Sequence, residues 1–121
     1  MTPGRMSEAW TSWTVRVEAP EGVVYVRLAY QDGHPRHIGI QCGKSGGIAA
    51  GFASLLGRWG SKALRPCPKC GYHVTVSSLV RSARGITHDR SGNHEAASMP
   101  DAIGRALEMI EKLRTEPQKI A

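Results

Sequence analysis

Three groups of residues in this sequence have types and spacings that could do chemistry. The first is the run Cys42-Gly-Lys-Ser-Gly-Gly47. Gly43, Gly46 and Gly47 let the backbone bend so that successive N–H groups point one way, Lys44 supplies a positive charge and Ser45 a hydroxyl donor. Set between a strand and a helix start, such a turn suits a phosphate or a carboxylate. It lacks the G-x-x-x-x-G-K-[ST] spacing of a nucleoside triphosphatase. A tight connection whose glycines only permit close packing is the alternative reading.

Arg58, Lys62 and Arg65 form the second group; spacings of four and three residues put them on one helix face. Trp59 lies between the first two, and Gly57 and Gly60 leave backbone open to close approach. The row reads equally as a ligand surface or as a solvated face.

The third group is Cys67-Pro-Lys-Cys70-Gly71, shaped like one half of a zinc ribbon. Zinc takes four tetrahedral ligands, so His73, His88, His94 and Cys42 are the candidates to complete the set. The interval between His88 and His94 is slightly longer than that of a zinc finger, and a reduced thiol pair or a site shared between subunits are the alternatives. Catalytic constellations are weaker. There is no paired carboxylate or metalloprotease helix motif. Cys42 with His37 or His34 would be a cysteine-nucleophile arrangement, but Cys42 alternates with Ile38 and Ile40 on an apolar face, as a buried structural cysteine does.

The elements that must position these groups follow from periodicity. Trp13 to Glu18 alternates apolar and polar, Ala19-Pro-Glu-Gly22 breaks the run, and Val23 to Tyr30 resumes it. A second turn at Gln31-Asp-Gly-His34 leads to Arg36–Gln41, giving a three-stranded antiparallel meander. The period then changes. Ile48, Phe52, Leu55, Leu56, Trp59 and Ala63 recur every three or four residues, so a helix is expected over about 47–64, ended by Pro66. A shorter helix is expected around Thr75 to Ala83, a loop from Thr87 to Ala97, and a last helix capped by Ser98 and carrying Ile103, Ala106, Leu107, Ile110 and Leu113. The predicted class is α+β, a three-stranded antiparallel meander followed by three helices packed on one sheet face. Residues 1–11 and 116–121 read as flexible ends around a single domain over 12–115.

A chain of 121 residues with a formal charge of +6 favours anionic partners: phosphorylated small molecules such as nucleotides, nucleic acid or an acidic protein surface. No apolar run is long enough to span a bilayer, so no membrane partner is expected. Three cysteines and the absence of a signal-peptide pattern suggest a reducing, cytoplasmic setting.

Gly39-Ile-Gln-Cys-Gly-Lys-Ser-Gly-Gly47, Leu56-Gly-Arg-Trp-Gly-Ser-Lys-Ala-Leu-Arg65 and Ser98-Met-Pro-Asp-Ala-Ile-Gly-Arg-Ala-Leu-Glu108 together resemble the TSCPD domain. That domain is found at the C-terminus of adenosylcobalamin-dependent ribonucleotide reductases and as a small free-standing protein. The resemblance spans about Val15 to Leu113. Met99 stands where the family's naming motif has cysteine, and the Cys67/Cys70 knuckle is an elaboration. The reductase catalytic barrel has no counterpart in these residues, so the resemblance implies an accessory module and no nucleotide reduction by this chain alone.

The resulting expectation is a non-catalytic accessory or sequestering module. It binds a phosphorylated ligand, a nucleotide, through Gly43, Lys44, Ser45, Gly46 and Gly47 with Arg58 and Lys62. The alternatives are a nucleic-acid-binding module using the basic helix and a zinc knuckle, and last a small cysteine- or metal-dependent hydrolase. Zinc on Cys67, Cys70, His73, His88 and His94 is the candidate cofactor, and a ribonucleotide reductase subunit a candidate partner. A homo-oligomer is expected through the uncovered sheet face carrying Val23, Tyr25 and Ala29.

Overall fold

A computed structural model describes residues 10–43, 47–84, 95–96 and 98–115. Three strands come first, β1 (Trp10–Ala19), β2 (Gly22–Gln31) and β3 (His34–Cys42), paired antiparallel in the order β1-β2-β3. The β2–β3 turn is Asp32-Gly33, both at positive φ (52° and 84°), the conformation whose twist suits a two-residue hairpin. One irregularity follows: Ala29 faces His37 but Tyr30 faces Pro35, so Arg36 is an extra residue in β3. Beyond it the alternation is regular, with Ile38, Ile40 and Cys42 on one face and His37, Gly39 and Gln41 on the other.

The three helices are α1 (Ile48–Leu64), α2 (Val76–Ala83) and α3 (Met99–Thr115), giving the expected α+β class. α3 packs on β1 and β2, burying Ala102, Ile103, Ala106, Leu107 and Ile110 against Val17, Val24, Val26 and Leu28. Further along it, Tyr30 donates its hydroxyl proton to Glu111, lies under the Arg114 guanidinium at 4.5 Å and meets Trp13 edge-on at 5.6 Å. α2 packs on α3. Thr75 caps α2 by accepting from the Ser78 N–H at 3.1 Å, and Ser98 caps α3 by accepting from the Asp101 N–H at 3.1 Å, as its position in the sequence predicts.

α1 lies along the outer edge of β3. Its inward face is made of small residues, Ala53, Gly57 and Ser61, followed by Leu64. A Cβ on Gly57 would sit 3.0 Å from the Ile38 carbonyl oxygen, so only glycine lets helix and strand backbones approach this closely. Ser61 completes the join: its Oγ accepts from the Ile38 N–H at 2.8 Å and donates to the Ile38 carbonyl at 3.2 Å. Those groups point away from β2, and the helix thus satisfies an edge that would otherwise be open to strand pairing. The opposite edge is treated alike, since Glu18 in β1 donates its N–H to Glu95 Oε1 and accepts from the Ala96 N–H.

Apart from Leu64, the large apolar residues of α1 consequently face outward or lie at its margin. Ile48 is 80% exposed, Phe52 57%, Leu55 37% and Trp59 59%, while Leu56 and Ala63 are half-buried. The period that predicts this helix therefore marks its outer stripe, because contact with strand backbone requires small side chains.

Candidate functional site

β3 enters the site from Ile38 to Cys42, turns at Gly43, and α1 returns alongside it from Gly47, so strand and helix form the two walls of a trough. At the turn end, a hollow is lined by Gln41, Cys42 and Gly43 from the strand side and Gly47, Ala50 and Gly51 from the helix. Ile40 and Ser54 belong both to this hollow and to the next, a groove of about 410 Å³ flanked by Gly39, Arg58 and Lys62. His37 and Arg65 in turn are shared with a third hollow on the free sheet face, where Arg27, Ala29, Ser12 and Trp10 lie. From Gly47 to Arg65 the trough follows α1 for about 27 Å at the helical rise of 1.5 Å per residue.

Its electrostatics are one-sided. Arg27, Arg58, Lys62 and Arg65 line it, and none of the described lining residues is acidic. His37 registers this field: burial, then the Arg27 charge, then the Arg65 charge hold its imidazole below the usual histidine range. A side chain on a helix leans toward the N-terminus, so Arg58 and Lys62 reach back along the trough toward the turn.

Among the turn residues, Gly43 has φ +69°, a backbone conformation that favours glycine, and Gly47 is the extended N-cap of α1 with no side-chain cap. Lys44, Ser45 and Gly46 lie outside the described residues. Arg58, Lys62 and Arg65 share one helix flank, as their spacing predicts. The openness to a ligand expected at Gly57 and Gly60 is corrected: Gly57 is filled by the Ile38–Ile40 backbone, and a Cβ on Gly60 would meet Ile38 Cδ1 at 2.8 Å. Among the lining residues that sequence reading did not assign to this site are Trp10, Arg27, His37, which was considered only as a partner for Cys42, and Gly39. Alternation along β3 carried the signal for the last two, since it puts them on the face opposite Ile38.

Cys42 is fully buried, and burial, with a smaller contribution from Glu21, pushes its thiol up. His37 points to the opposite sheet face and exposed His34 lies at the far end of β3, so the cysteine–histidine pairing considered from sequence is not formed.

The knuckle is a tight turn. The Gly71 N–H donates to the Cys67 carbonyl at 2.7 Å, the Cys67 N–H donates to the Tyr72 carbonyl at 2.8 Å, and Gly71 takes φ +77°. Backbone N–H groups of Cys70, Lys69 and Gly71, with the Cys70 thiol, hold the Cys67 thiol below its usual range. Both thiols are free, and His73 is exposed beside them in sequence with its Nδ1 3.3 Å from the Val74 carbonyl. Among the described residues no three metal-ligating side chains come together. Candidates His88 and His94 lie outside the described residues.

Ser98, Met99 and Asp101 are buried at the start of α3 and have structural partners. No helix among the described residues is long and apolar enough to cross a membrane. Compared with known proteins, the chain matches the TSCPD domain model over residues 5–111. No curated protein and no solved structure matches it.

Proposed function

The chain belongs to the TSCPD domain family, and we propose that it is a non-catalytic module that binds a phosphorylated ligand, a nucleotide, in the trough between β3 and α1. One observation supports this reading above the others. The hollow at Gly43 and Gly47 and the basic row, separate in sequence, open into one another through Ile40 and Ser54. The phosphates would lie toward the turn, oriented by the N–H groups at the start of α1 and neutralised by Lys44 and Arg58, with Lys62 next along the wall. Anions gain there because none of the described lining residues is a carboxylate.

A second reading, single-stranded nucleic acid, is favoured by the continuation of the trough past His37 and Arg65 to Arg27 and half-exposed Trp10. A linear polyanion could follow that path with a base stacked on the indole. Zinc in the knuckle is proposed with both readings as a structural ion and takes no part in either site.

Titration of nucleoside phosphates and short oligonucleotides against wild type, Lys44→Ala and Arg58→Ala/Lys62→Ala separates the readings. The nucleotide reading expects Lys44→Ala to weaken nucleoside phosphate binding by roughly ten- to a hundredfold, the worth of a charge-assisted hydrogen bond. The nucleic-acid reading expects the double variant to lose more, with a loss that shrinks at high salt. If all three proteins bind every ligand equally, the trough is not the site.

A further inference from the structure

The trough occupies one flank of α1; the stripe carrying Ile48, Phe52, Leu55 and Trp59 lies on the face turned away from β3. Beside the stripe, between α1, α2 and α3, lies an apolar groove of about 370 Å³ walled by Leu56, Trp59, Ala63, Leu79 and Ile103. Stripe and groove are continuous, because Trp59 belongs to both. Two half-exposed aromatic side chains with Ile48 and Leu55 present hydrocarbon of the order of the largest patches monomers carry, ~300–600 Å². With the groove walls this approaches the ~800 Å² per partner of a stable interface.

We propose that this face is where a second copy of the chain docks, α1 against α1 in antiparallel orientation. The order of residues along the stripe is what selects a second copy as the occupant. A twofold axis through the midpoint of Leu55 and Leu56 sets Ile48 against Ala63 of the second copy, Phe52 against Trp59, and Leu55 against Leu56. Bulk meets small side chain at both ends, and aromatic meets aromatic between them. Phe52 of each copy then reaches the rim of the other's groove beside Trp59, so the one surface carries both projection and recess, as an isologous contact requires. Arg58 stays on the flank about a quarter-turn from the stripe, and Lys62, seven residues on from Leu55, borders the stripe on the trough side, where its long side chain keeps its charge in water. The free sheet face fits the role less well: Tyr25 is exposed there among Thr14, Arg16, Arg27 and Gln41, while Ala29 is buried and Val23 half-buried.

Sedimentation velocity on the full chain tests this. Wild type is expected to be a dimer at ~100 µM, since interfaces of this size hold at micromolar concentrations or below. Phe52→Glu and Trp59→Glu should each raise the dimer dissociation constant by about a hundredfold or more, as loss of a central aromatic does, with circular dichroism and melting temperature retained. In a Cys67→Ser/Cys70→Ser background, Leu55→Cys should give a disulfide-linked dimer on mild oxidation, because the two Leu55 side chains meet near the axis. A monomeric wild type overturns the proposal and leaves the stripe to a different protein. A dimer that persists in both glutamate variants also overturns it, placing the contact elsewhere, for instance on the sheet face.

Discussion

Asp101 Oδ1 accepts a hydrogen bond from Arg84 Nε at 3.0 Å, while its Oδ2 accepts from Arg105 Nε at 2.9 Å. The carboxylate is almost wholly buried, its side chain 4% exposed, and Arg84 also reaches Glu108 at 2.7 Å. Asp101 therefore ties the end of α2 to α3, and Gly104 leaves the room the guanidinium stem needs: a Cβ there would come within 2.9 Å of Arg84 Cδ. This geometry gives Asp101 a part in packing α2 on α3. Asp101→Ala should destabilise the fold by about 2–3 kcal/mol, less than the ~3–5 kcal/mol for breaking a fully buried pair because both arginines are partly solvated. Ser98→Ala, which removes only the cap, should cost about 1 kcal/mol. Urea unfolding checks both, and a ligand-binding defect without a stability change would show instead that the motif acts at a site.

Gly57 and Ser61 make a second structural pair, four residues apart on the face of α1 against β3. Gly57→Ala should cost about 1–3 kcal/mol, since the added methyl meets carbonyl oxygen and strand backbone that cannot swing aside. Ser61→Ala should cost about 1–3 kcal/mol by leaving the buried Ile38 N–H without its acceptor. Chemical denaturation measures both. Trough affinity should stay unchanged in whatever fraction remains folded.

These residues also show what was legible beforehand. Alternation and turn chemistry gave the meander, and the 3.6-residue period gave α1 and α3, because both patterns are local properties of the chain. The face that α1 buries was not legible. Hydrophobicity points to Phe52 and Trp59, whereas the contact is decided by how closely a helix can approach strand backbone, which rewards Ala53, Gly57 and Ser61. The turn and the basic row were each visible in the sequence. Their opening into one trough, and the addition of His37 and Arg27 from the free sheet face, depend on α1 lying at the β3 edge, which no local pattern encodes.

The knuckle makes a prediction of its own. Cys67 and Cys70 hold zinc only if histidines from the 73–94 region or a neighbouring copy complete the four ligands. Metal analysis after purification without chelator should then give close to one equivalent per chain for a site within one copy, or about half for a shared one. Closed thiolate sites hold zinc tightly. Less than roughly a tenth of an equivalent would therefore leave the knuckle a reduced thiol pair in a tight turn.

His37 offers a test of the trough through pH. Its imidazole sits below the usual range because burial, Arg27 and Arg65 all oppose a further positive charge there. In the unfolded chain it titrates near ~6.5, so on acidification the unfolded state takes up the proton first. The unliganded fold should therefore lose stability as pH falls from about 6.5 toward the lower folded value, and keep it above. An anion lying between Arg27, Arg65 and His37 reverses the local balance, because its charge favours the imidazolium and raises the imidazole pKa in the complex. Binding then draws in a proton, and affinity should rise over the same fall in pH that weakens the free protein. A phosphodiester such as a short oligonucleotide is the ligand to use, since its phosphates do not titrate in this range whereas a terminal phosphate does, near ~6. Isothermal titration in buffers of different ionisation enthalpy would read the proton uptake directly, and His37→Gln should abolish both the uptake and the acid-side gain in affinity. Binding with no proton uptake, and no change in His37→Gln, would place the anion away from the sheet-face end of the trough and confine the site to the turn.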